Sequence, residues 1–175
     1  MNLAWDSCYD GKCETEVFGI GSKEEGQGCQ RMKMMIMDGQ GGGVGRSLVE
    51  ALHAKYPDVE LIAVGTNATA TANMMKGGTS IGATGENAVI YNSARVDVIL
   101  GPIGIIMANA MLGEITPRMA EAVASSDVPI LLIPMSRCNA QVLGVEERKL
   151  ADNIREAVER VGRLLETEAK TAKGR

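Results

Sequence analysis

The sequence is poor in aromatic side chains and in histidine. Aromatic residues make up 3% of the chain, and His53 is the single histidine. Glycine (21 residues) and methionine (11 residues) are abundant instead. Small and flexible side chains must therefore fill the core.

The sequence also lacks long apolar runs and an excess of positive charge. No stretch reaches about 18 uninterrupted apolar residues, so we expect no membrane span. The first residues lack the apolar core of a signal peptide. The formal net charge is −4 and the pI about 5.1, which argues against nucleic acid as a partner because phosphate neutralisation needs clustered Lys and Arg. We expect a cytoplasmic protein whose cysteines are reduced.

Three of the four cysteines, Cys8, Cys13 and Cys29, lie near the start of the chain. Their spacing matches no strong zinc pattern. They are weak candidates for a metal or iron–sulfur site completed by Cys138, and we expect no metal. The alternative is that residues 1–31 form a flexible extension that cannot offset the entropy of folding. A start at Met32 or Met34 is a further alternative, because either methionine opens the first predicted strand directly.

The chain is organised around a glycine-rich turn within residues 32–50. An apolar run at residues 34–37 predicts a buried strand, and five glycines follow at positions 39, 41, 42, 43 and 45. A helix follows, with Leu48, Val49 and Leu52 on one face. Glycine lets the backbone approach a phosphate, and the amides at a helix start attract negative charge. This order of elements predicts a nucleotide-binding turn.

Further strands and helices alternate along the chain. They predict an α/β fold, a Rossmann-like three-layer α/β/α sandwich with a mostly parallel sheet of four to five strands. We expect one domain over residues 32–168 and a disordered tail over residues 169–175. The predicted strands are at residues 59–64, 96–100 and 130–133, with an edge strand at 141–145, and the predicted helices are at 68–76, 86–94, 116–125 and 150–165.

The apolar segment 103–112 is predicted to be a helix between Pro102 and Gly113. It is apolar nearly all round, so it must be buried in the core or against another subunit. We therefore expect a homo-oligomer that forms through helix 103–112, because paired subunits are common among such proteins.

Ligands in such folds bind at the carboxyl ends of the strands, and unusual loops follow several of the predicted strands there. We expect a small-molecule nucleotide as the ligand. Its predicted binding residues come from these loops and are Gly39, Gln40, Gly41, Gly42, Gly43, Val44, Gly45, Arg46, Ser47, Thr66, Asn67, Gly101, Ser136, Arg137 and Asn139.

The spacing of Gly39, Gly43 and Gly45 is similar to the fingerprint of short-chain dehydrogenases. NAD sites often place an acid about 20 residues further on, to hold the ribose hydroxyls, and this chain has Thr66 and Asn67 there. NADP is therefore favoured over NAD, with Arg46 as a partner for the 2′-phosphate or, alternatively, as a solvated arginine. The same stretch is similar to a P-loop, but Arg46 replaces the lysine that hydrolysis needs. Phosphate binding remains open.

Three residues are weak catalytic candidates: Asp38, Glu86 and Cys138. Asp38 with Glu86 and Glu114 would hold a divalent ion or act as a base, but such an acid more often caps the amides of its own loop. Cys138 lies beside Arg137, which would lower a thiol pKa, yet the only histidine lies in a helix on the other side. No catalytic set is complete, so the question of an enzyme stays open.

Several segments together resemble a family of small bacterial proteins of unknown function. They are the D-G-Q-G-G-G-V-G start, G-T-N, A-T-G-E-N, G-P-I-G-I-I, M-L-G-E-I-T and the late R-C-N. The resemblance covers about residues 32–165 and implies a Rossmann-like domain, with no activity attached. Three hypotheses follow: a nucleotide-binding protein, a non-catalytic ligand-sensing or oligomerising module, and a cysteine-based redox or metal protein.

Overall fold

The computed structural model of the protein describes residues 31–135, 142–146 and 148–173, with side chains as far as residue 169. In the described part, strands and helices alternate as predicted. The strands are β1 (Lys33–Asp38), β2 (Glu60–Gly65), β3 (Ile81–Thr84), β4 (Val98–Pro102) and β5 (Ile130–Ile133). The helices are α1 (Gly43–Lys55), α2 (Ala68–Met75), α3 (Glu86–Ser93), α4 (Pro117–Ala124) and α5 (Leu150–Lys173), and a short 3-10 helix covers Ile103–Ile106.

The five strands form one parallel sheet in the order β3-β2-β1-β4-β5. Connections between parallel strands are right-handed. The chain adds β2 and β3 on one side of β1 and then crosses to add β4 and β5 on the other side, so the helices after β3 lie on the opposite face of the sheet. Helices α1, α2 and α5 cover one face, and α3 and α4 cover the other. The predicted three-layer α/β/α sandwich is confirmed, with five strands that are all parallel.

Strand β1 lies at the centre and its side chains serve both layers of the core. Met34 and Ile36 pack under α1 and α5, whereas Met35 and Met37 pack under α3 and α4. This is the two-residue period of a strand that is buried on both faces. Methionine fills these layers in place of aromatic rings, as the composition predicts. No described helix has the length and apolar content needed to span a membrane.

The predicted helix at residues 103–112 is wrong. Pro102 is the last residue of β4, and the following 3-10 helix has four residues. The chain then turns back on itself, because Asn109 N–H donates to the Ile115 carbonyl (2.7 Å) and Ile115 N–H donates to the Ala110 carbonyl (3.2 Å). The positive φ values of Asn109, Met111 and Leu112 are incompatible with a continuous α-helix, and Ile105 and Ile115 are both buried in the same core layer. The expected oligomer interface through helix 103–112 loses its structural basis.

Three other predicted elements differ from the structure. Strand β3 lies where a loop was expected, and residues 142–145 form a turn instead of an edge strand. Gly144 has a φ of 83°, which a regular strand does not accommodate. Helix α5 continues to Lys173, well past the last predicted core residue, Leu165.

Candidate functional site

The strand order reverses at β1 and β4, and this places a crevice at their carboxyl ends. The connections from β1 run one way along the sheet, and those that lead to β4 and β5 run the other way. In open α/β sheets, ligands bind at such a point, outside the carboxyl ends of the strands. The glycine-rich turn, residues 39–45, follows β1 at this place.

Asp38 holds the glycine-rich turn in shape. Its side chain is 5% exposed. One carboxylate oxygen accepts the Gly39 N–H at 2.8 Å, and the other accepts the Gly45 N–H at 2.8 Å. The carboxylate thus bridges the two ends of the turn and supplies a negative charge at the start of α1. This is the arrangement in which an acid caps the amides of its own loop.

Burial and hydrogen bonding act in opposite directions on the ionisation of Asp38. Burial raises the pKa of the Asp38 carboxyl, the hydrogen bonds from the Gly45, Gly39 and Val44 amides lower it, and the nearby Glu114 charge raises it again. The net shift is upward. A carboxylate that is fully engaged by backbone amides is poorly placed to take a proton from a substrate, so the structure favours a scaffold role for Asp38.

The glycines of the turn fall into two groups. Gly39, Gly42 and Gly45 are required by internal packing. A Cβ on Gly39 would meet Met111 Sδ at 2.6 Å, one on Gly42 would meet the Ala70 carbonyl oxygen at 2.6 Å, and one on Gly45 would meet Asp38 Cβ at 2.9 Å. Real Cβ atoms do not approach so closely, so no larger residue fits at these three positions without a shift of its neighbours.

Internal packing does not require glycine at positions 41 and 43. A Cβ at either position would meet no atom within 4 Å, and neither residue has a positive φ. Both are exposed, and no hydrogen bond between described residues engages their amides. Gly43 begins α1, whereas Gly41 lies in the turn before it, and glycine within a helix costs about 0.5–1 kcal/mol relative to alanine. The fold alone therefore leaves these two glycines unexplained, and open backbone at a helix start is the geometry that an anion needs.

Glu114 reaches the turn from the loop after β4. Its Oε2 atom accepts three hydrogen bonds: from the Gln40 N–H at 2.7 Å, from Thr66 Oγ1 at 2.5 Å and from Asn67 Nδ2 at 3.0 Å. Partial burial pushes the pKa of the Glu114 carboxyl upward, but the bonds from Thr66, Gln40 and Asn67 outweigh it and the pKa is lowered. A negative charge therefore stands between the turns that follow β1 and β2.

The segment that delivers Glu114 is strained. Asn109, Met111 and Leu112 all have φ values between 56° and 63°, and Gly113 follows with a φ of 89°. Asparagine tolerates this left-handed region, but methionine and leucine rarely adopt it. Each such residue costs on the order of 1–3 kcal/mol and persists only where surrounding contacts determine it. The hydrogen bonds of Glu114 are contacts of that kind, so we name residues 107–116 the Glu114 loop.

A second feature adjoins the turn on the side of α2. A shallow groove of about 480 Å³ is lined by Gly41, Asn73, Lys76 and small residues of α2. Asn73 Nδ2 donates to the Gly41 carbonyl at 2.8 Å, and the Arg46 guanidinium donates to Asn73 Oδ1 at 3.4 Å. Arg46 also pairs with Glu50 at 2.8 Å, with both side chains half exposed. Two cations therefore lie close to the open part of the turn.

The structure brings together part of the predicted site. Thr66 and Asn67 meet the turn, because Asn67 Nδ2 donates to the Gln40 carbonyl at 3.0 Å. Gly101 is buried against Ile105, so it serves packing, and Ser47 Oγ donates to the Gly43 carbonyl at 3.1 Å. The predicted residues Ser136, Arg137, Cys138 and Asn139 lie outside the described residues.

Of the two acids proposed as partners of Asp38, Glu114 lies near it and Glu86 is engaged elsewhere. Glu114 comes close enough to act on the Asp38 carboxyl, whereas Glu86 accepts hydrogen bonds from Thr116 Oγ1 at 2.6 Å and from Arg118 at 3.2 Å. Within the described residues, no group of three His, Cys, Asp or Glu side chains is arranged to hold a metal ion. The weak metal candidates Cys8, Cys13 and Cys29 lie outside the described part of the chain.

The sequence groups Glu114 with Asp38 but does not predict the contacts of Glu114 with Gln40, Thr66 and Asn67. Its hydrogen-bond partner Gln40 is 74 residues away in the chain, and no local pattern links the two. The lack of an acid directly after β2 in the sequence favours NADP, but the structure supplies an acid there from another loop.

Comparison with known proteins identifies a family and a structural likeness. A family described as "Domain of unknown function (DUF3842)" matches residues 33–166, close to the range of the predicted resemblance. No curated protein matches the chain. Among solved structures, the chain is similar to a dodecameric FMN-dependent UbiX-like decarboxylase from Escherichia coli O157:H7, with 19% identity, a TM-score of 0.42, and coverage of 74% of this chain and 92% of that one.

Proposed function

Because the chain belongs to the DUF3842 family, whose description states no activity, we propose a function from the site itself: the protein binds a nucleotide. A phosphate group of the ligand sits on the amides of Gly41 and Gly43, at the start of α1. The observation that carries this proposal is the openness of these two glycines, which internal packing does not require.

The position of the two amides supports the proposal. They lie at the helix start that follows the central strand, where the peptide dipoles of α1 present partial positive charge. A side chain at either position would stand between the backbone and an approaching phosphate. Retaining glycine at an exposed helix start lowers stability, and close approach of a ligand offsets that cost.

The charges around the turn set the direction from which a phosphate approaches. Asp38 and Glu114 occupy the amides of Gly39, Gln40 and Gly45, so their side of the turn is negative. Arg46 and Lys76 lie on the side of α2. The exposed pair between Arg46 and Glu50 is worth no more than about 1 kcal/mol, so a phosphate displaces Glu50 at little cost. We place the phosphate on the α2 side.

The choice between NADP and NAD depends on two opposed groups. Arg46 favours a 2′-phosphate, in keeping with the expectation from the sequence, whereas the Glu114 carboxylate disfavours one. The proposal of nucleotide binding is the same for either dinucleotide. We propose no reaction, since the described side chains supply no complete catalytic set.

Thermal-shift measurements test the proposal. Wild-type protein is titrated with NADP, NAD, FAD, FMN, ATP, GTP and S-adenosylmethionine. A ligand at a hundredfold excess over its Kd adds about 2.7 kcal/mol to the free energy of unfolding. The matched variant carries Gly41→Ala and Gly43→Ala, which fit the free protein without a clash but cover both amides.

We expect the double variant to be at least as stable as wild type without ligand and to lose the ligand-induced shift. Ala124→Val, which adds bulk to the exposed end of α4 on the other face of the sheet, should keep the shift. If no ligand stabilises the wild type, or if the double variant responds as the wild type does, the proposed phosphate site is wrong.

A further inference from the structure

We infer that Glu114 is a specificity-determining residue of this site, and that it selects a nucleotide whose ribose carries free 2′ and 3′ hydroxyls over one with a 2′-phosphate. The inference rests on the proposed function, because it concerns the ribose of the same bound nucleotide. It names a ligand class that the sequence interpretation ranked second.

The first argument is the position of the carboxylate. In doubly wound folds, an acid at the carboxyl end of the second strand accepts hydrogen bonds from the ribose. Here β2 is followed by Thr66 and Asn67, and both donate to Glu114 Oε2. The acid therefore stands at that place, although it comes from the loop after β4. The Gln40 N–H also donates to it, so the carboxylate lies directly beside the glycine-rich turn.

The second argument is the arrangement of its two oxygens. All three donors converge on Oε2, and no hydrogen bond between described residues engages Oε1. Glu114 is partly exposed. The residue is thus held by one oxygen, and the other remains available to a ligand. An ionised carboxylate accepts hydrogen bonds and donates none, which suits the hydroxyls of a ribose.

The third argument is charge. A 2′-phosphate in this position would lie beside the Glu114 carboxylate, and such juxtaposition of like charges is strongly unfavourable. Arg46, the arginine near the turn in the described part of the chain, is held by Glu50 and Asn73 on the other side of Gly41. Glu114 therefore acts on the ribose position more directly than Arg46 does.

The strain of the Glu114 loop supports the same conclusion. Met111 and Leu112 adopt left-handed conformations, so the fold accepts an unfavourable backbone in order to bring the carboxylate to this place. Strained residues cluster where a ligand or a reaction needs a group in a fixed position.

Isothermal titration with NAD and NADP tests the inference on wild type, Glu114→Gln and Glu114→Asp. We expect wild type to bind NAD more tightly. Glu114→Gln keeps an acceptor for the three donors but removes the charge, so the ratio of the NADP and NAD dissociation constants should fall on the order of tenfold or more. Glu114→Asp keeps the charge and should keep the preference for NAD. The control Glu121→Gln, an exposed residue of α4, should leave the ratio unchanged.

Three results would overturn the inference. They are a wild type that binds NADP as tightly as NAD, a ratio that Glu114→Gln does not change, and a wild type that binds neither dinucleotide. A rise in affinity for both ligands in Glu114→Gln, with the ratio constant, would instead identify Glu114 as a plug in the site. Nucleotide binding that depends on Gly41 and Gly43 but ignores the ribose phosphate would leave the proposed function standing.

Discussion

Two loops meet at the carboxyl edge of the sheet, and they are built in opposite ways. The turn after β1 is closed by a local contact, since Asp38 and Gly45 are seven residues apart in the chain. The Glu114 loop after β4 is held by distant contacts with Gln40, Thr66 and Asn67. The first loop follows from its own sequence. The second has a conformation that its own sequence does not favour, and the rest of the fold imposes it.

Among substitutions in the two loops, removing the carboxylate of Asp38 should have the largest effect on stability. In Asp38→Asn, one oxygen is replaced by an NH₂ group that faces a backbone N–H, so a buried donor loses its acceptor. We expect the free energy of unfolding to fall by about 2–4 kcal/mol, as measured by urea denaturation.

Asp97→Asn is the matched control. Asp97 also accepts a backbone N–H, from Lys33 at 2.7 Å, but that bond is exposed to solvent. Its loss should cost less than about 1 kcal/mol. Equal losses in the two variants would mean that Asp38 does not hold the turn.

Within the turn, Gly45→Ala and Gly43→Ala should act in opposite directions. The new Cβ at Gly45 would lie 2.9 Å from both Asp38 Cβ and Met74 Cγ, and overpacking of this kind costs about 1–3 kcal/mol. The Cβ at Gly43 meets nothing, so alanine there should stabilise the helix by about 0.5–1 kcal/mol. Paired urea curves would measure both, and a loss of stability in Gly43→Ala would contradict the division of the glycines into two groups.

A substitution that relieves strain in the Glu114 loop should have the smallest effect, and it should raise stability. Leu112 is 97% exposed and has a φ of 59°, so it contributes strain and little packing. Leu112→Asn should raise stability by about 0.5–1 kcal/mol, because asparagine tolerates the left-handed region. Leu143 is similarly exposed at 91% and has no positive φ. Leu143→Asn should therefore leave the melting temperature unchanged, and an equal gain there would attribute the effect to lost surface hydrophobicity.

The contrast between local and distant contacts also explains which strands the sequence alone predicts. Strands β1, β2, β4 and β5 were predicted because each is a short apolar run next to glycine or proline. Strand β3 is not predicted because I-G-A-T at the sheet edge is short, contains a glycine and is mostly exposed, so it has no clear apolar pattern. Its pairing with β2 is a property of the assembled sheet.

In the candidate site too, features formed by local contacts are predictable from the sequence and features held by distant contacts are not. The position of the glycine-rich turn follows from local sequence, and so does the capping role of Asp38. Residues 103–112 were predicted to be a helix because they form an apolar segment between a proline and a glycine. The segment bends because Ile105 and Ile115 share one core layer and Glu114 is bound at the turn, and both causes involve partners far away in the chain.

The span of these contacts also sets an order of assembly. Closing a short loop costs less conformational entropy than closing a long one. The contact from Asp38 to Gly45 forms within one strand–turn–helix unit, whereas the contact from Glu114 to Gln40 joins residues 74 apart. We therefore expect the turn to take shape while the chain is still emerging from the ribosome. The Glu114 carboxylate reaches the turn only after β4 has docked beside β1, so a nascent chain that ends before Glu114 contains the turn closed by Asp38 but lacks the carboxylate beside it.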